Sequence, residues 1–433
     1  MKIQTTFTRF LAQFICAGIV TIFVTSCTTV DTQSRWANWR GPNGDGSSVD
    51  GNYPVSWSET NNIVWKAPLP GKGCSTPIVW DSNIFITAPV EGQDAVLAID
   101  WSGKELWRTR LGAESAGKHR NGSGSNASPA TDGKVVVVYF KSGELAALDF
   151  SGKILWRTNL VQAYGRDTLY WDHGTSPVLT EKFAIMARLH NGESWLAAFD
   201  KNSGAMKWKV TRNYETPQEN DHGYTTPLVI RYDGKEALLT WGAERLTIHD
   251  VADGKLLWSA TGFNPSGGKM WPSVASPVLA GDVAIFPHGR SDRGTPLLYG
   301  VKLGKAGELE STNRLWMRND TGTFVPTPTV WRKNVYLLRD RGEVECLDPL
   351  KGETIWKDAF PKASGNYYGS PTIVNGRLYA VREDGVVFVA NVEKKFEVLA
   401  ENNMGERVIA TPVFLQDRIL VRGEKNLFCL ATR

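Results

Sequence analysis

Apolar and polar residues alternate along most of this chain in runs of four to eight, broken by Gly, Pro, Asn, Asp and Ser, and this is the pattern of short half-buried strands. In the first such stretch the pattern predicts strands at Thr76–Val79, Asn83–Thr87, Ala95–Asp100 and Glu105–Thr109, with turns at Trp80-Asp-Ser and Ser102-Gly. The stretch then repeats. A hydroxyl residue followed by Pro and a β-rich run occurs at Thr76-Pro77, Ser128-Pro129, Ser176-Pro177, Thr226-Pro227, Ser276-Pro277, Thr327-Pro328, Ser370-Pro371 and Thr411-Pro412. The prolines are spaced by 52, 48, 50, 50, 51, 43 and 41 residues. Four antiparallel strands every 40–50 residues define the blade of a β-propeller.

A second signal follows each of the first. Ala98-Ile-Asp100-Trp-Ser-Gly103-Lys-Glu-Leu-Trp107 recurs as Ala147-Leu-Asp149-Phe-Ser-Gly152-Lys-Ile-Leu-Trp156. Further copies run from Ala198 through Asp200 and Gly204 to Trp208, from Asp250 to Trp258 and from Asp348 to Trp356. Unit five keeps only Trp316 after a longer turn, and unit seven carries Asn391 and Phe396 in place of Asp and Trp. An Asp at the strand end accepts hydrogen bonds from turn amides, and Gly supplies the turn's positive φ. A Trp on the outer strand docks over the neighbouring unit with its N–H still able to find a partner.

The eighth unit offers strands at Thr411–Leu415, Arg418–Val421 and Leu427–Leu430, leaving its outer strand to be supplied from elsewhere. Asn62-Ile-Val-Trp65-Lys66 matches that outer strand and precedes the first unit. The expectation is therefore an all-β, eight-bladed propeller over residues 62–433, its last blade closed by an N-terminal strand. Seven blades is the alternative should unit five be incomplete. Residues 28–61 are expected as an irregular strap.

Composition adds three points. Seventeen tryptophans among 433 residues suit a repeated architectural role better than one aromatic pocket. A net charge of +4 is too small to imply nucleic-acid binding. Residues 1–27 read as a leader: Lys2 and Arg9 are basic, Leu11 to Val24 are apolar, and Val24-Thr-Ser-Cys27 resembles a bacterial lipobox in which Cys27 is acylated. Thr28 in place of Asp favours the outer membrane. An exported lipoprotein facing the periplasm is expected, with Cys74, Cys346 and Cys429 as free thiols.

The Ala-x-Asp-x-x-x-Gly-x-x-x-Trp repeat resembles the tryptophan-docking repeat of pyrroloquinoline quinone (PQQ)-type propellers, over nearly the whole chain after the leader. The opening Trp36-Ala-Asn-Trp39-Arg40-Gly41-Pro42-Asn43-Gly-Asp45-Gly46 resembles a segment preceding such propellers in exported bacterial proteins. The resemblance implies one of two functions. Quinoprotein dehydrogenases oxidise alcohols or sugars with PQQ and calcium, whereas BamB-type lipoproteins are non-enzymatic scaffolds for outer-membrane protein assembly. The alcohol-oxidising members hold the quinone with adjacent cysteines and a Trp, bind calcium through a Glu and an Asn, and use an Asp as base. This sequence has no adjacent cysteines and no Cys-x-x-Cys-His haem motif. No cofactor is expected, with PQQ and calcium as the alternative.

Loops leading into the inner strands converge at one mouth of a propeller channel. Here they carry Lys118-His119-Arg120, Tyr170-Trp171-Asp172-His173, Asp221-His222-Gly223-Tyr224, Lys269-Met270-Trp271 and Tyr367-Tyr368. The loops joining second to third strands add Lys141, His190, His288, Arg290, Arg339, Arg341, Arg382 and Arg422. From these, His119, Asp172, His173, His222, Trp271, His288, Arg290, Arg339, Tyr368, Arg382 and Arg422 are the candidate ligand-binding residues. Such a set suits an anionic ligand, a carbohydrate stacked on aromatic rings, or an envelope protein partner. No nucleophile motif is present, so a monomeric binding or scaffold propeller is the expected function, with a polysaccharide-processing propeller as a further alternative.

Overall fold

In the computed structural model the described residues are Met1, 35–312 and 314–433, so the leader with Cys27 lies outside them. Eight sheets follow one another along residues 35–433, an eight-bladed β-propeller. In blade one the strands are Ile78–Trp80, Asn83–Val90, Gln93–Asp100 and Glu105–Ala113, ordered from the channel outwards. Each is antiparallel to the next and close to its expected position. Unit five is a complete blade, with Val278–Ala280, Val283–Arg290, Thr295–Lys302 and the short outer strand Trp316–Arg318. Blade eight takes Val413–Leu415, Arg418–Arg422 and Asn426–Ala431 from the end of the chain. Its outer strand is Ile63–Pro68, antiparallel from Ile63 opposite Leu430 to Pro68 opposite Asn426 with a register shift between Ile63 and Trp65. Joining the two ends of the propeller in one sheet closes the ring and removes an open edge.

One geometry explains the repeated Asp, Gly and Trp. The indole N–H of five outer-strand Trp residues donates to a turn carbonyl of the following blade: Trp65 to Trp101, Trp107 to Phe150, Trp156 to Lys201, Trp208 to Val251 and Trp316 to Pro349, at 2.8–2.9 Å. The indole face lies against the Gly of the same turn. A Cβ at Gly152 would sit 2.6 Å from Trp107, and Gly152 has φ +86°, so backbone conformation and space both call for glycine. The turn is held by its Asp: Asp149 Oδ1 accepts from Ser151 N, Ser151 Oγ and Lys153 N. Those bonds to the charged form hold the Asp149 carboxyl below its usual range, as the equivalent bonds do for Asp100 and Asp200. Asp250 and Asp348 cap their turns in the same way. Trp356 instead meets the Phe396 ring at 6.0 Å, the pairing that the aromatic substitution in unit seven permits.

The hydroxyl residue before each proline has an equally regular role. Thr76 N donates to Ser128 Oγ, Ser128 N to Ser176 Oγ, Ser176 N to Thr226 Oγ1, Thr226 N to Ser276 Oγ, Ser276 N to Thr327 Oγ1, Thr327 N to Ser370 Oγ and Ser370 N to Thr411 Oγ1, at 2.9–3.2 Å. Seven successive blade junctions are thus tied by one bond around the channel. At the remaining junction Arg422 of blade eight reaches into blade one, donating to the carbonyls of Ser75 at 3.0 Å and Thr87 at 2.7 Å. Apolar residues fill the spaces between blades, so the core is distributed around the ring.

Residues 35–57 cross the channel. Arg35–Trp36 forms a fifth strand inside blade one, pairing with Val79 and Trp80. Arg40, wholly buried, donates to the carbonyls of Pro328 at 2.6 Å and Asp45 at 2.9 Å and to Thr329 Oγ1 at 3.1 Å. Further along, Ser48 N donates to Ile373 O, Tyr379 Oη to Pro54 O, and Trp57 N to Asn402 Oδ1. The segment is anchored in turn to blades one, six and seven.

Candidate functional site

On the other side of the hydroxyl ring from this segment, the inner-strand entry loops enclose a cavity of about 490 Å³. All eight ring residues line it, from Thr76 to Thr411. So do His119, Asn121, Trp171, Asp172 and Tyr224 from the loops of blades two to four, and Arg290, Arg293, Phe324, Asp340, Arg341, Asn366 and Tyr368 from blades five to seven. Trp39 reaches the cavity from the channel-crossing segment.

Four of the eleven candidates therefore share one cavity: His119, Asp172, Arg290 and Tyr368. The His119 ring meets the Trp171 ring edge-on at 4.9 Å. Asp172 accepts from Lys118 N at 2.9 Å and pairs with Lys141 Nζ at 2.7 Å. Arg290 forms a two-pronged pair with Asp292 at 2.6 and 2.7 Å and lies 4.3 Å over the Phe324 ring. Tyr368 Oη accepts from Asn366 Nδ2 at 3.1 Å.

The other seven are placed elsewhere. His173 follows Asp172 in sequence but turns into the blade, 4.8 Å from the Tyr139 ring, and burial pushes its imidazole down to about 4. His222 is likewise buried, next to Asp221. Of these four residues only Asp172 lines the cavity, so the two Asp-His pairs do not converge there. His288 is enclosed between the Trp241 and Trp271 rings at 5.3 and 5.5 Å, its Nε2 3.8 Å from the Glu244 carboxylate. Trp271 N donates to Asn220 Oδ1, at the edge of the same cluster. Arg339 Nε donates to Gly322 O, and Arg382 pairs with Asp384 at 2.9 Å. Arg422 is the buried tie between blades eight and one. A basic residue on this face is thus as often a structural anchor as a free charge.

The carboxylates at the cavity are all engaged. Asp340 accepts from Ser291 Oγ at 2.6 Å, Phe324 N at 2.8 Å and Val325 N at 3.0 Å, while burial pushes its carboxyl up. Asp172 and Asp292 hold their cations. By contrast Arg293 and Arg341 are exposed and take no ion pair among the described residues.

A family model described as the outer membrane protein assembly factor BamB matches residues 48–193 and, overlapping, 92–358. The chain belongs to this family. Its fold agrees with solved structures on both sides of that family's resemblance. BamB from Moraxella catarrhalis aligns with a TM-score of 0.61 at 16% identity, over 86% of this chain and 97% of that one. A europium-containing methanol dehydrogenase aligns at 0.63 and 11% identity, over 91% and 90%. The quinohemoprotein alcohol dehydrogenase of Comamonas testosteroni aligns at 0.66 and 13%, over 92% and 80%. At these identities the likeness is one of fold. No curated protein sequence matches the chain.

The dehydrogenase neighbours make PQQ and a metal ion the groups to test against this BamB-family site. Among the described residues Cys74 is the one cysteine at the cavity, and Cys74, Cys346 and Cys429 are each free. Among the described residues no three His, Cys, Asp or Glu side chains converge as a ligand set. Each cavity carboxylate already faces N–H groups, a hydroxyl or a cation, which leaves neither a paired oxygen set for calcium nor an unencumbered Asp to act as base. The residues present do not fit the quinone and its metal.

Proposed function

We propose that this BamB-family propeller is a non-catalytic binding scaffold of the cell envelope. In this reading it is held on the periplasmic side of the outer membrane through acylated Cys27, and its loop face receives another envelope protein, as the family description suggests. The observation that carries the reading is the state of the cavity carboxylates. Asp172, Asp292 and Asp340 are all committed to hydrogen bonds or ion pairs within the protein, so the site offers surface and charge without a carboxylate free to act as base. Among the described residues no helix is long and apolar enough to cross a membrane, so attachment falls to the lipid in this proposal.

Two measurements test it. Dye reduction with PQQ, calcium and a panel of alcohols and sugars should stay at the rate without protein, and turnover abolished by Asp172→Asn would overturn the reading. Photo-crosslinkers placed at Arg120 and Tyr170 on the loop face should capture an outer-membrane assembly protein in intact cells, whereas crosslinkers at Leu106 and Ile355 on the outer strands should not. Equal capture from both faces would remove the loop face from the proposal.

A further inference from the structure

The cavity has a built base. Beneath the hydroxyl ring, Arg40 is anchored to Pro328 O and Thr329 Oγ1, so the segment carrying Trp39 closes the channel on that side and the cavity is blind. Trp39 is only partly buried, and its indole N–H takes no partner among the described residues. Around it stand the eight Ser and Thr hydroxyls. Seven of these oxygens accept a backbone N–H from the neighbouring blade, and each keeps its own proton to donate. A blind, hydroxyl-lined pocket with an aromatic ring and a free donor suits a polyhydroxylated ring.

The upper wall adds charge. The Ser291–Asp340 hydrogen bond, 2.6 Å, ties the loops that carry Arg293 and Arg341, placing two unpaired guanidiniums on one side of the cavity. Asp172 is paired with Lys141 and Asp292 with Arg290, which leaves Asp340 alone against Arg293 and Arg341, so the excess charge at the mouth is positive. Guanidinium is well matched to a carboxylate, which it holds through two parallel N–H bonds. Trp171 and Tyr368 add aromatic rings to the same lining.

We infer that the cavity binds an acidic monosaccharide unit, a pyranose ring carrying a carboxylate. The sugar ring lies against Trp39, its hydroxyls bond the Ser and Thr ring, and its carboxylate meets Arg293 and Arg341. An extended acidic peptide fits less well, because the channel-crossing segment leaves the cavity no through-route. The inference goes beyond the scaffold reading and does not depend on it, since a protein partner on the outer loops and a sugar in the cavity occupy different surfaces.

Isothermal titration of the full chain with glucuronate, galacturonate, glucose, galactose and malate tests it. The expected result is saturable one-site binding of at least one uronate, with its neutral parent and malate each at least about tenfold weaker. Arg293→Ala/Arg341→Ala, at two exposed positions, should abolish the preference for the acid over its parent. Trp39→Phe should weaken acid and parent alike. Malate binding as tightly as the uronates would show an anion site only. Neutral parents matching the acids, a double variant that keeps the preference, or no heat with any of the five up to ~10 mM would each overturn the inference.

Discussion

If the Gly beneath each indole is what lets neighbouring blades dock, then a methyl group there should cost far more than the same methyl at an open glycine. Gly152 and Gly92 provide the comparison. Both have positive φ, +86° and +74°. A Cβ at Gly92 meets nothing within 4 Å, whereas at Gly152 it lies 2.6 Å from Trp107 Cδ2. Gly92→Ala should therefore show the backbone cost alone, about 1 kcal/mol. Gly152→Ala adds displacement of an indole, about 1–3 kcal/mol for overpacking. It also adds weakening of the 2.9 Å bond from Trp107 Nε1 to Phe150 O, about 1 kcal/mol. The total is about 3–5 kcal/mol. Urea unfolding followed by tryptophan fluorescence measures both variants, with hydrogen exchange at blades one and two to localise the loss. Equal midpoints for the two variants would refute the docking argument, because a Cβ at Gly152 meets Trp107 and the Thr109 hydroxyl whereas one at Gly92 meets nothing.

Other expectations concern the ring and the buried titratable groups. Thr226→Val keeps shape but removes the acceptor for Ser176 N, and should cost about 1–3 kcal/mol in a melt, with Thr226→Ser largely restoring it. His249 is buried, which pushes its imidazole down to about 3. As pH falls below about 6.5 the unfolded chain takes a proton that the folded one refuses, so stability falls by about 1.4 kcal/mol per unit. Relative to His249→Gln, the wild type should thus lose about 2 kcal/mol between pH 7.5 and 5, and parallel stability curves would exclude this. Burial raises the Asp94 carboxyl to about 7, the opposite sign. Here the folded chain holds its proton while the unfolded one releases it above about 3.8, so stability falls as pH rises towards 7. Asp94→Asn should gain about 2–3 kcal/mol on the wild type between pH 5 and 7 in the same assay.

The fold was legible because each repeated residue answers one geometric requirement that recurs from blade to blade: a hydroxyl to accept the neighbouring amide, an Asp to cap the turn, a Gly under the ring, a Trp to dock. Unit five looked degenerate because its turn is longer, but the requirement is met off-pattern. A Cβ at Gly304 would lie 2.4 Å from Trp258 Nε1, so a glycine still sits beneath the preceding tryptophan. The site was only partly legible. Loop composition identified the face, yet it could not separate Arg290 at the cavity from Arg422 in the blade seam, because both precede a glycine-containing turn or follow a strand in the same way. Trp39 was missed for a different reason. It lies in a glycine-rich segment without periodicity, and its place at the cavity follows from Arg40 and Trp36 being buried on either side of it, a tertiary arrangement with no local signal.

The double role of the hydroxyl ring constrains where specificity can reside in this propeller. Ser128, Ser176 and their counterparts both join blades and line the cavity. Changing one to suit a ligand would break a junction, so the base of the cavity is fixed by the architecture. The loops carry no such duty at Arg293, Arg341 and His119, which are exposed, and the channel-crossing segment presents Trp39 from outside the blades altogether. Residues free of blade-joining duty are therefore those that decide what binds. The same split explains how one ring of blades serves quinone enzymes and assembly factors alike: the junction chemistry makes the fold, and the loops and inserted segments make the function.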